Sequence, residues 1–151
     1  MVDNSDLRRG KDTANARWGN APSVLVGDFL YARAFELLVD IGAMPLMNRL
    51  AVATRTIAQG EVMQLMNVRN PDATERQYMD VIKGKTAILF QASSETAALI
   101  NQQSEDDTGK LAAYGLNLGL AFQLIDDVLD YDGNTETLGK NVGDDLAEGK
   151  P

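Results

Sequence analysis

The chain has 151 residues, a net charge of −8, and neither cysteine nor histidine. Disulfides, thiolate nucleophiles, Cys-ligated zinc and imidazole-based acid–base or metal chemistry are thereby excluded, and the acidic balance argues against general nucleic-acid binding, which needs a basic face. The ligand left for a metal is carboxylate oxygen, which suits Mg²⁺, Mn²⁺ or Ca²⁺.

Ala, Leu, Met and Gln are plentiful, aromatics make up 6% of the residues, and no long β-branched run occurs. These are good helix formers, so an all-α fold is expected. Residues 1–20 are polar, are broken by Gly10 and Gly19, and read as a loop. Pro22 and Ser23 open an apolar stretch through Val39 that Gly42 ends, and Pro45 opens a second helix running to about Asn67. NVRNPD is a turn. Thr74 and Gln77 have capping-box spacing and start a third helix through about Asn101. Ser104 to Thr108 is a polar link whose Asp or Thr can cap a fourth helix, which runs to about Tyr131 and ends at Gly133. The Gly- and Asp-rich remainder reads as a loop with at most a short helical turn. Long helices with short connections imply antiparallel neighbours.

No apolar run reaches the roughly 20 residues a membrane-spanning helix needs. The opening MVDNSDLRRGKD has no apolar signal core, so a cytoplasmic location is expected. The abrupt ends, a charged loop at the start and EGKP at the finish, lead us to expect one domain over residues 1–151 that is an internal piece of a longer helical protein.

The fourth helix raises a physical question. Asp126, Asp127 and Asp130 interrupt the apolar run Leu120, Phe122, Leu124, Ile125, Val128 and Leu129. Asp126 and Asp130 stack four apart, Asp127 lies beside them, and Gln123 is one turn earlier. Like charges this close favour divalent cations or strong bases opposite them. An acidic helix face is ordinarily solvated, but the apolar flanks make a cavity-facing patch an equal reading. Two look-alikes fail. DYDGN has Val128 and Gly139 where a calcium loop needs carboxylates, and Gly133 to Lys140 has the wrong glycine spacing for a phosphate loop. The candidate cations are Arg8, Arg9 and Lys11 in a short basic loop, Lys85 in the third helix, and the Gly-bordered Lys140 and Lys150. Mg²⁺ bridging carboxylates to phosphate oxygens, with Arg and Lys neutralising the rest, is what a diphosphate site requires.

The motifs SDLRRGK (Ser5–Lys11), VGDFL (Val26–Leu30), GEVMQL (Gly60–Leu65), KTA (Lys85–Ala87), FQLIDDVLD (Phe122–Asp130) and GKNVGDDLAEGKP (Gly139–Pro151) together resemble the all-trans polyprenyl diphosphate synthases. The wording is most similar to the bacterial long-chain branch, the octaprenyl diphosphate synthases. The resemblance implies an antiparallel helical bundle of the isoprenoid synthase type and head-to-tail condensation of isopentenyl diphosphate onto an allylic diphosphate, giving a lipophilic polyprenyl product. It implies that Asp126, Asp127 and Asp130 hold Mg²⁺, with Mn²⁺ as a substitute, on the allylic diphosphate. Arg8, Lys85 and Lys140 would contact that diphosphate, Lys150 would add to substrate binding, and Arg9 would help bind isopentenyl diphosphate. Gln123 and Thr86 would lie near the reacting carbons. Asp3 would match the last aspartate of the family's first acidic motif, whose other two aspartates the chain does not contain. A homodimer is expected, both from the family and from apolar faces such as Phe29, Leu30, Phe35 and Leu37–Leu38. The competing expectation is a non-catalytic helical subunit or binding module of the same fold.

Overall fold

A computed structural model describes residues 6–133 together with 142, 143, 147 and 149. The elements run β1 (Leu7–Arg8), β2 (Lys11–Asp12), α1 (Ala14–Trp18), α2 (Asn20–Ile41), α3 (Met44–Asn67), α4 (Glu75–Ile82), a π-helical turn (Lys83–Ala87), α5 (Ile88–Ile100) and α6 (Glu105–Asp132). The all-α expectation holds apart from one tiny antiparallel ladder. In it Leu7 pairs with Asp12 and Arg8 with Lys11.

That ladder and α1 lie where a plain loop was expected. The two residues joining the strands, Arg9 and Gly10, both have positive φ (52° and 72°). This is the signature of the mirror-image turns whose twist matches a two-residue hairpin. Arg9 occupies a backbone region that a long side chain rarely adopts. Thr13 then caps α1, its hydroxyl accepting from the Ala16 N–H at 3.4 Å.

The helix ends follow local chemistry. Gly42 closes α2 in the left-handed conformation, its N–H donating to the Val39 carbonyl. Pro45 sits in the first turn of α3. The Thr74–Gln77 capping box forms in both directions. At α6 the cap is Ser104, which accepts from the Asp107 N–H at 3.1 Å; neither the Asp nor the Thr of the expected link does this. Glu105, Asp106 and Asp107 fill the first turn, where the helix dipole favours negative charge.

The expected third helix runs without a gap from Glu75 to Ile100, but between α4 and α5 its backbone widens into the π-helical turn, which lies at a close crossing of helices. α3, the turn, α5 and α6 touch through residues with little or no side chain. A Cβ placed on Gly60 would lie 2.5 Å from the Lys85 nitrogen. One on Gly119 would lie 2.6 Å from Ala87 Cα, and one on Gly115 would lie 2.4 Å from the Phe90 carbonyl oxygen. The buried apolar residues repeat the pattern, with Ala53, Ala87, Ala92, Ala98 and Ala112 outnumbering Leu38, Leu46, Val81 and Ile82. Small residues bring the backbones together, so dispersion contacts are made main chain to main chain. Arg49 adds a charged tie from α3 to α5, meeting the nearly buried Glu95 at 2.8 Å.

α2 differs from the rest. Only its Leu38 is buried, while Leu25, Phe29 and Leu30 are more than half exposed. Two of the residues expected on an open apolar face are not on it. Leu38 is covered, and Phe35 is half-buried against Tyr31, with ring centroids 5.0 Å apart. No helix among the described residues is long and apolar enough to cross a membrane.

Candidate functional site

The π-helical turn presents two consecutive side chains to different neighbours. Lys85 reaches α3, where its ammonium meets the Glu61 carboxylate at 3.2 Å and donates to the Gln64 amide oxygen. Thr86 reaches α6 and donates to Gln123 Oε1 at 2.8 Å. A regular helix turns 100° per residue, and a π-helical turn alters that register locally, a device frequent at functional sites.

From Thr86 the polar contacts continue. Gln123 Nε2 donates to Asp127 Oδ1 at 2.8 Å, one helical turn along α6. The other oxygen of the same carboxylate accepts from the Tyr78 hydroxyl of α4 at 2.6 Å. The result is a chain, Thr86 to Gln123 to Asp127, closed from the far side by Tyr78. Its polarity is determined throughout. Thr86 donates to the amide oxygen, so the amide nitrogen must face Asp127.

Half-buried Tyr78 has its phenol pushed well above the usual value of about 10. Burial is the main cause, with its donation to Asp127 and the nearby charges of Asp127 and Tyr131 adding to it. The phenol is therefore a proton donor throughout the neutral range. Because the folded pKa lies above the unfolded one, the associated stability is fully present below about pH 10 and is lost as pH rises from there toward the higher folded value. Unfolding experiments between neutral and strongly alkaline pH should show that decline, and Tyr78→Phe should flatten it. In a phenolate absorbance titration, Tyr78 should ionise above the usual tyrosine range.

Sequence reasoning named Lys85, Thr86, Gln123 and Asp127; the structure joins the last three by hydrogen bonds and turns Lys85 to α3 instead. Asp126 is half-buried beside Asp127, whereas Asp130 is 2% exposed, and its backbone carbonyl accepts the Gly143 N–H at 2.9 Å. The three aspartates therefore differ in depth and do not make one even patch. Arg8 and Arg9 stand exposed on the hairpin, Arg8 directly across from Lys11. Like charges opposed in this way repel, which favours an anion between them. Asp3, Lys140 and Lys150 lie outside the described residues. Tyr78, Glu61 and Gln64 were not singled out as site residues. Tyr78 shares a helix face with buried Val81 and Ile82 and with Lys85, at i, i+3, i+4 and i+7, and that spacing could have pointed to it. Glu61 and Gln64 lie in the GEVMQL motif, three apart on one face.

A cation would find an all-oxygen donor set here. Among the described residues no three acidic groups converge to hold a metal ion. Mg²⁺ can be held by one or two carboxylates, with water and ligand phosphates completing its octahedron. A carboxylate offers about four acceptor positions, and Tyr78 and Gln123 use one on each oxygen of Asp127. Capacity for a metal therefore remains on both oxygens. Lys85 is placed for anion binding by the same reasoning. Its ammonium has three donors, of which Glu61 and Gln64 take two, and no third partner is present among the described residues.

The polyprenyl synthetase family model matches residues 1–151. The chain belongs to the polyprenyl synthetase family. This polyprenyl synthetase chain is 55% identical, over its whole length, to the octaprenyl diphosphate synthase of Haemophilus influenzae, covering 46% of that protein. It is 51% identical to the geranyl-diphosphate-specific all-trans-nonaprenyl-diphosphate synthase of Rhodobacter capsulatus, again covering 46%. It superposes at a TM-score of 0.96 and 55% identity on a polyprenyl synthase from Caulobacter crescentus crystallised with calcium and isoprenyl diphosphate. That match covers 99% of this chain and 46% of the other. The bundle thus has the isoprenoid synthase fold, and the chain spans about half the length of the curated relatives it matches.

Proposed function

We propose that this chain is part of a long-chain polyprenyl diphosphate synthase. The reaction would be head-to-tail addition of isopentenyl diphosphate to an allylic diphosphate. The observation that carries the reading is the hydrogen-bonded chain joining Thr86 of the KTA motif to Gln123 and Asp127 of the FQLIDD motif. The similarity to octaprenyl and nonaprenyl synthases supports the long-chain product. The shorter length of this chain supports reading it as a segment of one larger catalytic domain.

The reaction suits the residues. Ionisation of the allylic C–O bond leaves an allylic cation and pyrophosphate. Lys85, with Arg8 on the hairpin and Lys140, would bind the departing diphosphate and stabilise the negative charge it gains. Arg9 would help hold the second diphosphate, and Lys150 would add to substrate binding. Gln123 and Thr86 carry oxygen dipoles that can face a positive carbon. The isopentenyl double bond then attacks the cation, and the extra proton leaves to the pyrophosphate, so neither a histidine nor a side-chain nucleophile is needed. Asp126 and Asp127, with Asp130 behind them and Asp3 from the first acidic motif, would hold Mg²⁺ or Mn²⁺. When bound, the metal supplies Lewis-acid stabilisation of the leaving diphosphate. The calcium bound by the Caulobacter crescentus synthase supports a role for a divalent ion. The exposed apolar side of α2 supports a homodimer.

The test is pyrophosphate release and product chain length from farnesyl and isopentenyl diphosphates. It uses the whole protein that carries this segment, with and without Mg²⁺. Metal-dependent release with a long polyprenyl product is expected. A folded, metal-supplied protein that turns over neither substrate overturns the reading in favour of a non-catalytic helical module.

A further inference from the structure

Each carboxylate oxygen of Asp127 accepts a side-chain hydrogen bond, one from another helix and one from the preceding turn of its own. The Tyr78 hydroxyl reaches Oδ2 from α4 at 2.6 Å, and Gln123 Nε2 reaches Oδ1 at 2.8 Å from the preceding turn of α6. A single hydrogen bond leaves an aspartate free to rotate about its Cβ–Cγ bond. Two donors approaching from opposite sides hold the carboxylate plane. Gln123 is itself held, because Thr86 takes its amide oxygen. Tyr78 is held by its helix, which is anchored by buried Val81 and Ile82 one turn on.

We infer that Tyr78 is a positioning residue which, opposite the Thr86–Gln123 arm, locks the Asp127 carboxylate in one orientation so that its remaining lone pairs are aimed at a divalent cation carrying a diphosphate. The inference rests on the proposed reading of Asp127 as a metal ligand. Outer partners of this kind fix ligand geometry before the metal arrives, and their loss typically lowers metal affinity by about 10–100-fold. Tyr78 touches neither substrate nor metal in this account. Its hydroxyl works only through Asp127, and its reach across 49 positions of sequence couples the orientation of α4 to the acidic helix.

The experiment is Mn²⁺ binding by electron paramagnetic resonance, in the whole synthase with inorganic pyrophosphate present. Tyr78→Phe keeps the ring and removes the donor, and should raise the Mn²⁺ Kd about tenfold or more. Turnover lost at limiting metal should return as the metal is raised, so the change falls on the metal requirement and not on kcat. p-Aminophenylalanine at position 78 restores a donor on the same ring and should bring the Kd back toward the wild-type value. Should Tyr78→Phe not fold, Thr86→Val reads the other arm of the clamp and should raise the Kd in the same way. A folded Tyr78→Phe protein with wild-type Mn²⁺ affinity, or a Kd that the restored donor leaves unchanged, overturns the positioning role. Asp127→Asn separates the two failures. Weakened Mn²⁺ binding there with an unaffected Tyr78→Phe leaves the metal-ligand reading standing and removes only the clamp, whereas wild-type binding in Asp127→Asn removes both.

Discussion

Asp127→Asn in the whole synthase lowers turnover by at least about 100-fold while leaving the fold nearly as stable, if Asp127 holds the metal on the leaving diphosphate. The magnitude follows from the size of leaving-group stabilisation, for which loss of one preorganised group costs on the order of 10²–10³ in kcat. The stability half of the expectation follows from the hydrogen-bond chain. Both partners of Asp127 are donors, so an amide in its place presents an N–H to one of them. Gln123 can answer by turning its own amide to offer Oε1, and the Thr86 hydroxyl, which can donate or accept, can rotate to receive Nε2. Every amide group stays paired while the carboxylate charge is gone. Asp127→Ala is the harsher change. It strands the half-buried Tyr78 hydroxyl and Gln123 amide without their acceptor, at a cost below the roughly 1–3 kcal/mol of a fully buried donor. Steady-state pyrophosphate release and thermal unfolding, measured on both variants, separate the two effects. Wild-type turnover in a folded Asp127→Asn protein would remove Asp127 from the metal site.

The second large effect is expected far from any carboxylate. Gly60→Ala should destabilise the protein by about 3 kcal/mol or more, at the upper end of what overpacking produces, and should depress activity as well. The new Cβ would lie 2.5 Å from the Lys85 nitrogen and 2.8 Å from the Gly84 carbonyl carbon. These are backbone atoms of the π-helical turn and cannot rotate away. Alanine's better helix propensity returns only about 1 kcal/mol. Relieving the clash moves the turn away from α3, and Lys85 and Thr86 move with it. A misplacement on the order of 1 Å at a reacting site can cost about 100-fold in rate. Gly84→Ala is the control at the same crossing. Its Cβ would find its nearest neighbour, Gly60 Cα, at 3.4 Å, which is ordinary contact, so it should be much milder. Equal melting temperatures for Gly60→Ala and the wild type would show that the crossing is looser than these distances imply.

The two expectations rest on different kinds of information. Helix boundaries were legible because their signals are local. The αL glycine at Gly42, Pro45 in the first turn, and the Thr74–Gln77 box each act within a few residues, and each forms as read. The same locality misled at Ser104, where several capping residues stood side by side and the sequence offered no way to choose among them. It failed in residues 7–18, where a hairpin was hidden because Arg9, and not the usual Asn or Asp, takes the first positive-φ position of the turn. The family was legible as well, since its motifs carry the residue types that diphosphate chemistry needs.

Composition and short-range chemistry thus determined by themselves the helical class, most of the helix ends and the acidic patch around Asp127, and the family resemblance of the motifs added Lys85, Thr86 and Gln123 as its companions. Only the tertiary structure decided how those residues are held. The partners lie 21 positions apart for Lys85 and Gln64, 37 for Thr86 and Gln123, and 49 for Tyr78 and Asp127. The π-helical turn that sends Lys85 to α3 and Thr86 to α6 has no sequence signature in a segment that otherwise reads as continuous helix. It goes with the close approach of Gly60 and Gly119 to that segment. The burial of Asp130 below its neighbours is likewise a product of packing. Periodicity placed it on the same face as Asp126 but carried no information about depth, because depth depends on which other segments of the chain cover that face.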